Sequence, residues 1–253
     1  MTDGNKPAAH EPPRQRPLLR SWTFRILDSF DVPPNMRRVV LTADDIDEFT
    51  YKPGQAIVMM IPLPEGGTGR RDYTIRSLDR AARTVSVDFA LHGDTPAPIW
   101  ARQAIPGAEI EVKGPRGGTV LRPGADWHLL TGDETCIPAI AHILETMPDG
   151  TKAFAFIEVN SKGEEIALET RADAAIRWVH RNGAPAGPSE IMKGVVEDFV
   201  LPPGKGHAYI IGETSNVRRQ RHTLLARGLT RDQISSEGYW RPGRIGGHDH
   251  VDD

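Results

Sequence analysis

The segment Arg71–Arg76 places two guanidinium groups, a phenol ring and a hydroxyl within six residues. Its alternation of charged or polar residues with Tyr, Thr and Ile predicts a β-strand, in which every second side chain points to the same side. One face would carry Arg71, Tyr73 and Ile75, and the other Asp72, Thr74 and Arg76. Arginine binds phosphate in a bidentate manner, and a tyrosine ring offers a face for stacking. These groups suit a flat aromatic ligand with a diphosphate, such as a flavin dinucleotide; the alternative is an edge strand with a solvated charged face.

The composition of the 253-residue chain is that of a globular protein long enough for two domains. It is 38% hydrophobic and 26% charged, and its 25 glycines and 21 prolines indicate many turns and considerable β structure. The net charge of −3 gives no reason to expect a nucleic-acid partner. No apolar run approaches the ~20 residues that span a bilayer, and the polar N-terminus lacks the apolar core of a signal peptide, so we expect a cytoplasmic protein.

The chain has one cysteine, Cys136, so it cannot form an internal disulfide or hold an all-cysteine iron–sulfur cluster. Apolar residues follow Cys136, which predicts a buried small side chain rather than a reactive thiol. We expect no metal site, and we expect the His- and Asp-rich residues 246–253 to form a disordered tail.

Residues 19–123 contain short strand-like segments separated by turn residues, with a helix at Pro98–Ala104. This rhythm predicts a six-stranded antiparallel β-barrel, preceded by a flexible tail over residues 1–18. The predicted strands are Ser21–Phe30, Met36–Leu41, Gln55–Leu63, Asp72–Leu78, Thr84–Leu91 and Ala108–Lys113.

Residues 124–245 show a different pattern of predicted secondary structure, in which strands and helices alternate. This pattern predicts a parallel sheet covered by helices. The predicted strands are Trp127–Thr131, Ala153–Val159, Ile176–His180 and His207–Ile211. The predicted helices are Ile137–Glu145, Glu190–Phe199 and Val217–Ala226.

Four motifs occur in order along the chain: Arg71–Arg76, Asp88–Thr95, Gly132–Thr135 and Gly238–Gly243. Together they make the chain resemble the siderophore-interacting protein family of flavin-dependent ferric-siderophore reductases, in the ferredoxin–NADP reductase superfamily. The resemblance covers nearly everything from Leu19 to Arg244. It implies an N-terminal FAD-binding β-barrel followed by a C-terminal α/β domain that binds NAD(P)H.

The resemblance also implies which residues bind FAD. Arg71 would neutralise the diphosphate, Tyr73 would lie against the isoalloxazine, and Thr74 would hydrogen-bond the ring edge. The loop around Thr95 is one residue shorter than the family pattern, because the glycine that usually stands between this threonine and the following proline is absent. For Thr95 the alternative is helix capping alone, and for Asp88 it is an outward-facing strand residue. The further FAD-binding residues implied are Ile75, Asp88, Leu91, His92 and Thr95.

The nicotinamide cofactor is expected at the carboxyl edge of the second domain's sheet. We expect two carboxylates of the third motif to cap the helix, while Thr135 or backbone N–H groups meet the cofactor. Glu213 either helps to place the nicotinamide or caps a helix, and Trp240 either covers the flavin or packs the C-terminus. The residues assigned to this region are Gly132, Asp133, Glu134, Thr135, Glu213 and Trp240.

The choice between NADH and NADPH depends on charge, because a 2′-phosphate requires Arg or Lys whereas a free 2′-hydroxyl accepts a carboxylate. Glu158 ends the second strand of the domain and favours NADH. Lys162, Arg177 and Arg181 are near it in sequence and can reverse that preference, so the choice stays open.

The activity that the resemblance implies is hydride transfer from NAD(P)H to FAD, then single-electron reduction of Fe(III) in a siderophore to Fe(II), which releases iron in the cytoplasm. No residue is nominated as a catalytic acid or base, and we expect a monomer. The alternatives are a flavin-dependent NAD(P)H oxidoreductase with another acceptor, and a non-catalytic siderophore- or flavin-binding protein. A basic rim would attract an anionic siderophore. Its candidate residues are Arg241, Arg244, Arg116 and Lys52.

Overall fold

The N-terminal part of the protein is a closed antiparallel barrel with strand order β1-β2-β5-β4-β3-β6, as predicted. The structure is a computed structural model that describes residues 18–91, 93–247 and 249–251. Almost all of the predicted tail 1–18 therefore lies outside the described residues. The strands are β1 (Ser21–Val32), β2 (Met36–Thr42), β3 (Ala56–Pro62), β4 (Thr68–Asp79), β5 (Thr84–Ala90) and β6 (Glu109–Arg116).

Alternation along β1 shows why this segment forms a barrel strand. Trp22, Phe24 and Ile26 are buried, whereas the residues between them are exposed. The Trp22 and Phe24 rings pack edge-on against Phe49, with ring centroids 5.1 and 5.7 Å apart. Helix α1 (Pro96–Arg102) adds its small buried residues to the same core, and it begins two residues before the predicted helix.

The C-terminal part is a six-stranded sheet with order β12-β11-β10-β7-β8-β9, parallel except for β12. Every residue of β7 and β10 is buried, as expected where helices cover both faces of a parallel sheet. Among the described residues, no helix has the length and apolar character needed to cross a membrane. The strands are β7 (Trp127–Asp133), β8 (Lys152–Val159), β9 (Asp173–His180), β10 (Gly206–Glu213), β11 (Ile234–Trp240) and β12 (Asp249–His250). The helices are α2 (Ile137–Glu145), α3 (Ile191–Asp198) and α4 (Thr214–Ala226).

Two strands of this sheet, β11 and β12, were not predicted. β11 contains serines and a glycine and so has a weak strand pattern, but it pairs in parallel with β10 along its length. β12 pairs with β11, and the following Val251 is only 1% exposed within the core. The segment 246–253, predicted as a disordered tail, thus contains a two-residue strand, Asp249–His250, within its described part.

Polar contacts join the barrel to the sheet where α2 packs against β4. Arg76 of β4 binds Glu145 at the end of α2 through two hydrogen bonds of 2.7 and 2.6 Å. Tyr51 Oη lies 2.7 Å from His142 Nε2, and their rings stack. These contacts fix the width of the space between the two parts.

We expect the contact between Arg76 and Glu145 to weaken in acid. Burial raises the pKa of Glu145, but His142 and Arg76 lower it by more, to about 2. Because this pKa is below that of an unfolded glutamate, the stabilisation is fully present above roughly pH 4.5 and is lost as the pH falls towards 2. After allowance for partial exposure, Glu145→Gln should cost about 1–2 kcal/mol of unfolding free energy at pH 7.

Urea unfolding at pH 7 and pH 3 measures this effect. The difference between wild type and Glu145→Gln should shrink at pH 3. Glu65→Gln, at an exposed loop position, is the control and should match wild type at both pH values. A difference that stays the same at both pH values would contradict the assignment.

Candidate functional site

A cleft of ≈ 490 Å³ lies between the barrel and the sheet and gathers residues from all four sequence motifs. Its volume is in the range of about 300–1,000 Å³ that is usual for ligand sites. The predicted residues that line it are Arg71, Tyr73, Thr74, Asp88, Thr95, Thr135, Trp240, Arg241 and Arg244. Predicted cofactor residues from the barrel and two from the sheet edge, Thr135 and Trp240, therefore share one cavity.

Tyr73 forms part of the barrel wall of the cleft. Its ring centroid lies 4.1 Å from that of Phe89, which is wholly buried in the barrel core. Burial raises the pKa of Tyr73, although Arg71 opposes the shift, so the phenol is neutral at physiological pH. The adjoining Ile75 is completely buried and does not line the cleft. Phe89 therefore supports the Tyr73 ring from the barrel core, and this ring gives the cleft a flat, uncharged surface.

Arg71 contributes a cation to the cleft. It donates a hydrogen bond to the Arg70 carbonyl at 2.9 Å, and no carboxylate pairs with it in the described part of the chain. Gly69 and Gly246 pack against its guanidinium, and a Cβ on Gly246, whose φ is +77°, would overlap it. Glycine alone permits so close a contact at this backbone conformation. The segment that contains Gly246 therefore lies directly against the Arg71 guanidinium. The side chain is held in place, and its charge is left available for an anion.

Asp88 lines the cleft but is already paired. Arg38 binds its carboxylate through hydrogen bonds of 2.7 and 2.8 Å, and Arg76 Nε lies 3.8 Å away. Its side chain is only 4% exposed, although it lies on the face of β5 opposite to the core residues Val87 and Phe89. Thr95 occupies the N-cap position of α1, yet its hydroxyl makes no capping hydrogen bond and it lines the cleft. The predicted His92 lies outside the described residues.

Asp133, at the end of β7, organises the sheet side of the cleft. Its Oδ1 accepts hydrogen bonds from the backbone N–H and the hydroxyl of Thr135, at 3.0 and 2.5 Å. Its Oδ2 accepts from the Glu213 N–H and from Trp240 Nε1, both at 2.9 Å. Asp133 therefore caps the 3-10 turn Glu134–Cys136 that leads into α2, whose own N-cap is Cys136, and the same carboxylate also fixes the Trp240 indole.

Two features explain how this carboxylate is buried. Gly212 has a φ of +131°, and a Cβ there would lie 2.7 Å from Asp133 Oδ2. Burial and Glu134 raise the pKa of Asp133, whereas the hydrogen bonds from Thr135 and Trp240 lower it, and the net shift is upward. The donors around the carboxylate offset a large part of the cost of its burial.

The remaining predicted cofactor residues do not line the cleft. Gly132 is buried inside β7, and Leu91 lines a neighbouring cavity. Glu213 is buried and accepts a hydrogen bond from the Asn216 N–H as the N-cap of α4. Glu134 pairs with Arg181 instead of capping α2. Cys136 is buried, as predicted, and burial raises the pKa of its thiol.

The predicted basic rim is divided between separate places. Arg241 and Arg244 line the cleft, and both pair with Asp249 of β12. Arg116 lines a smaller adjoining pocket, where it lies 3.4 Å from Asp72. Lys52 is exposed and lies outside both cavities. Sequence analysis missed Asp249 because its tail position gave no sign that it pairs with these arginines.

The donor set of the cleft fits FAD. Tyr73 offers a face to an aromatic ring, Thr74 and Thr95 offer hydroxyls, and Arg71 offers a cation without a carboxylate partner among the described residues. In the same part of the chain, no group of three or more His, Cys, Asp or Glu side chains is placed to hold a metal ion.

Comparisons with known proteins agree with this chemistry. The model of the siderophore-interacting FAD-binding domain matches residues 68–119, and that of the siderophore-interacting protein matches residues 125–243. The ferric vibriobactin reductase ViuB of Vibrio cholerae is 30% identical over 236 residues, which cover 84% of this chain and 86% of that protein.

Solved structures show the same relationship. A siderophore utilization protein from T. fusca is 32% identical with a TM-score of 0.84, covering 92% of this chain and 96% of that one. A ferredoxin NADP+ reductase from Neisseria gonorrhoeae, solved with bound FAD and NADP, shares the fold at 17% identity and a TM-score of 0.62, covering 87% and 99% of the two chains. The two matching family models and the ViuB relative together show that this chain belongs to the siderophore-interacting protein family.

Proposed function

We propose that this protein is an FAD-dependent reductase that takes electrons from NAD(P)H and reduces the Fe(III) of ferric siderophores to Fe(II). The observation that carries the proposal is the single cleft in which Arg71, Tyr73 and Thr74 of the barrel face Thr135 and Trp240 of the sheet. The ferric reductase relative and the FAD-binding family model support the activity.

Each wall of the cleft has a separate task in this proposal. Arg71 binds the cofactor's diphosphate, Tyr73 supports the ring system and Thr74 hydrogen-bonds its edge. On the other wall, Asp133 holds Trp240 in place, and Thr135 lies where the nicotinamide enters. Bound FAD supplies the chemistry that protein side chains lack, because it accepts a hydride and returns electrons one at a time.

The reaction balances without a proton donor or acceptor from the protein. One NAD(P)H and two Fe(III) give NAD(P)+, one proton and two Fe(II). No titratable residue of the cleft is therefore assigned to proton transfer. Arg241 and Arg244 remain the proposed contacts for an anionic siderophore, but Asp249 reduces their combined charge to +1. Steering by this pair should consequently be modest and should weaken with salt.

Anaerobic absorption spectroscopy of the FAD-loaded protein tests the function. NADH or NADPH should bleach the flavin band, and a ferric siderophore should restore it with two Fe(II) formed per nicotinamide. Restoration by a quinone but not by any ferric siderophore would assign a different acceptor. A flavin band that neither nicotinamide bleaches would instead indicate a binding protein.

A further inference from the structure

The carboxyl ends of three neighbouring strands bring together one arginine and two glutamates. Glu134 directly follows β7, Glu158 is the penultimate residue of β8, and Arg181 directly follows β9. An open parallel sheet binds a dinucleotide at this edge, and the residue that ends the second strand meets the adenine ribose. The three residues therefore lie where a reductase distinguishes a 2′-hydroxyl from a 2′-phosphate.

Arg181 is held between the two carboxylates. Its Nη2 and Nη1 donate to Glu134 at 2.7 and 2.8 Å, and Nη1 also donates to Glu158 at 3.2 Å. The side chains of Arg181 and Glu158 are only 5% and 3% exposed, and that of Glu134 is 21% exposed. The cluster has a formal charge of −1, so it does not offer a free cation to a phosphate.

A cavity of ≈ 200 Å³ lies beside Glu134, the one member of the cluster that lines it, and extends to residues of the barrel. Glu134 and Glu164 supply its charged lining, and the other lining residues are apolar except for Asn35; no described residue that lines it is basic. It shares the lining residue Ala90 with the cleft that holds Arg71 and Tyr73, so the two cavities are adjacent. Its size suits part of a dinucleotide, since whole-ligand pockets measure about 300–1,000 Å³.

The other nearby cations are less well placed. Lys162 is exposed in the turn after β8, and Arg177 is exposed within the edge strand β9, three residues before its end. We propose that the Glu134–Arg181–Glu158 cluster makes NADH the preferred reductant, because it withholds the arginine that would bind a 2′-phosphate and presents the Glu134 carboxylate there instead. This inference rests on the proposed function and specifies its electron donor. Rejection of NADPH is then achieved by repulsion at the strand ends.

Calorimetric titration of the FAD-loaded protein with 5′-ADP and with 2′,5′-ADP tests the inference without measuring turnover. Wild type should bind 5′-ADP at least about tenfold more tightly than 2′,5′-ADP. Glu134→Gln with Glu158→Gln should release Arg181 and shift this ratio at least about tenfold towards 2′,5′-ADP. Adding Arg181→Gln should remove the gain, and the exposed Glu169→Gln should leave the ratio unchanged.

The inference is overturned if wild type binds 2′,5′-ADP as tightly as 5′-ADP, if the double variant keeps the wild-type ratio, or if the gain survives Arg181→Gln, which would assign it to Lys162. Should the double variant not fold, Glu134→Gln alone, at the most exposed of the three positions, should shift the ratio in the same direction, and an unchanged ratio in that variant also rejects the inference. Failure of the proposed function differs, because neither nicotinamide would then bleach the flavin.

Discussion

Replacing Arg71 by alanine is expected to lower the affinity for FAD by about 10- to 100-fold, the loss that follows from removing a charge-assisted hydrogen bond worth about 1.5–3 kcal/mol. The cost is large because, among the described residues, this guanidinium has no carboxylate partner and lies in the cleft beside Tyr73. Titration of the apoprotein with FAD, followed by quenching of flavin fluorescence, measures the change.

The neighbouring Arg70→Ala is the matched control. Arg70 is exposed on the same strand and does not line the cleft, so its removal should leave FAD affinity close to wild type. Full retention of FAD by Arg71→Ala would place the diphosphate elsewhere. Equal losses in both variants would indicate that overall positive charge, rather than the position of Arg71, holds the cofactor.

Replacing Asp133 by alanine is expected to lower the free energy of unfolding by about 2–4 kcal/mol, since the Glu213 N–H and the Trp240 indole N–H lose their acceptor. Relief of the burial penalty, visible in the raised pKa of Asp133, keeps the cost below the sum of the separate hydrogen bonds. Denaturant unfolding measures the loss, and intrinsic tryptophan fluorescence should report the release of the indole.

Trp240→Phe separates the two contributions. It keeps an aromatic ring but removes one donor, so about 1 kcal/mol should be lost. If Asp133→Ala lowered the free energy of unfolding no more than Trp240→Phe, the carboxylate would only cap the turn between β7 and α2. It would then not hold the ends of β7, β10 and β11 together.

The barrel and the parallel sheet were predictable because their signals are local. The alternation of apolar and polar residues in β1 indicates which side chains face the core. Arg71, Tyr73 and Thr74 lie within one strand, so their possible contacts to a phosphate and an aromatic ring can be inferred from the local sequence. The four motifs then indicated the family, and the cleft brings residues of all four together.

Pairing between distant residues was not predictable in the same way. Glu134 reads as a helix cap, yet Arg181, 47 residues later, binds its carboxylate. β11 is a strand because β10 lies beside it, and Asp249 reaches Thr214, 35 residues earlier, through a fold that its own tail sequence does not indicate. Such contacts depend on how elements assemble, which neither periodicity nor composition records.

The route of the chain after Trp240 affects how the protein should be handled. Gly246 lies on Arg71, and Val251 inserts into the sheet core five residues later. A purification tag or fusion partner attached after Asp253 would follow closely on the segment that lies against Arg71, the residue proposed to bind the FAD diphosphate, whereas one attached before Met1 would not. Preparations labelled at the two ends should therefore differ in yellow colour, and an untagged sample is the proper reference for flavin content.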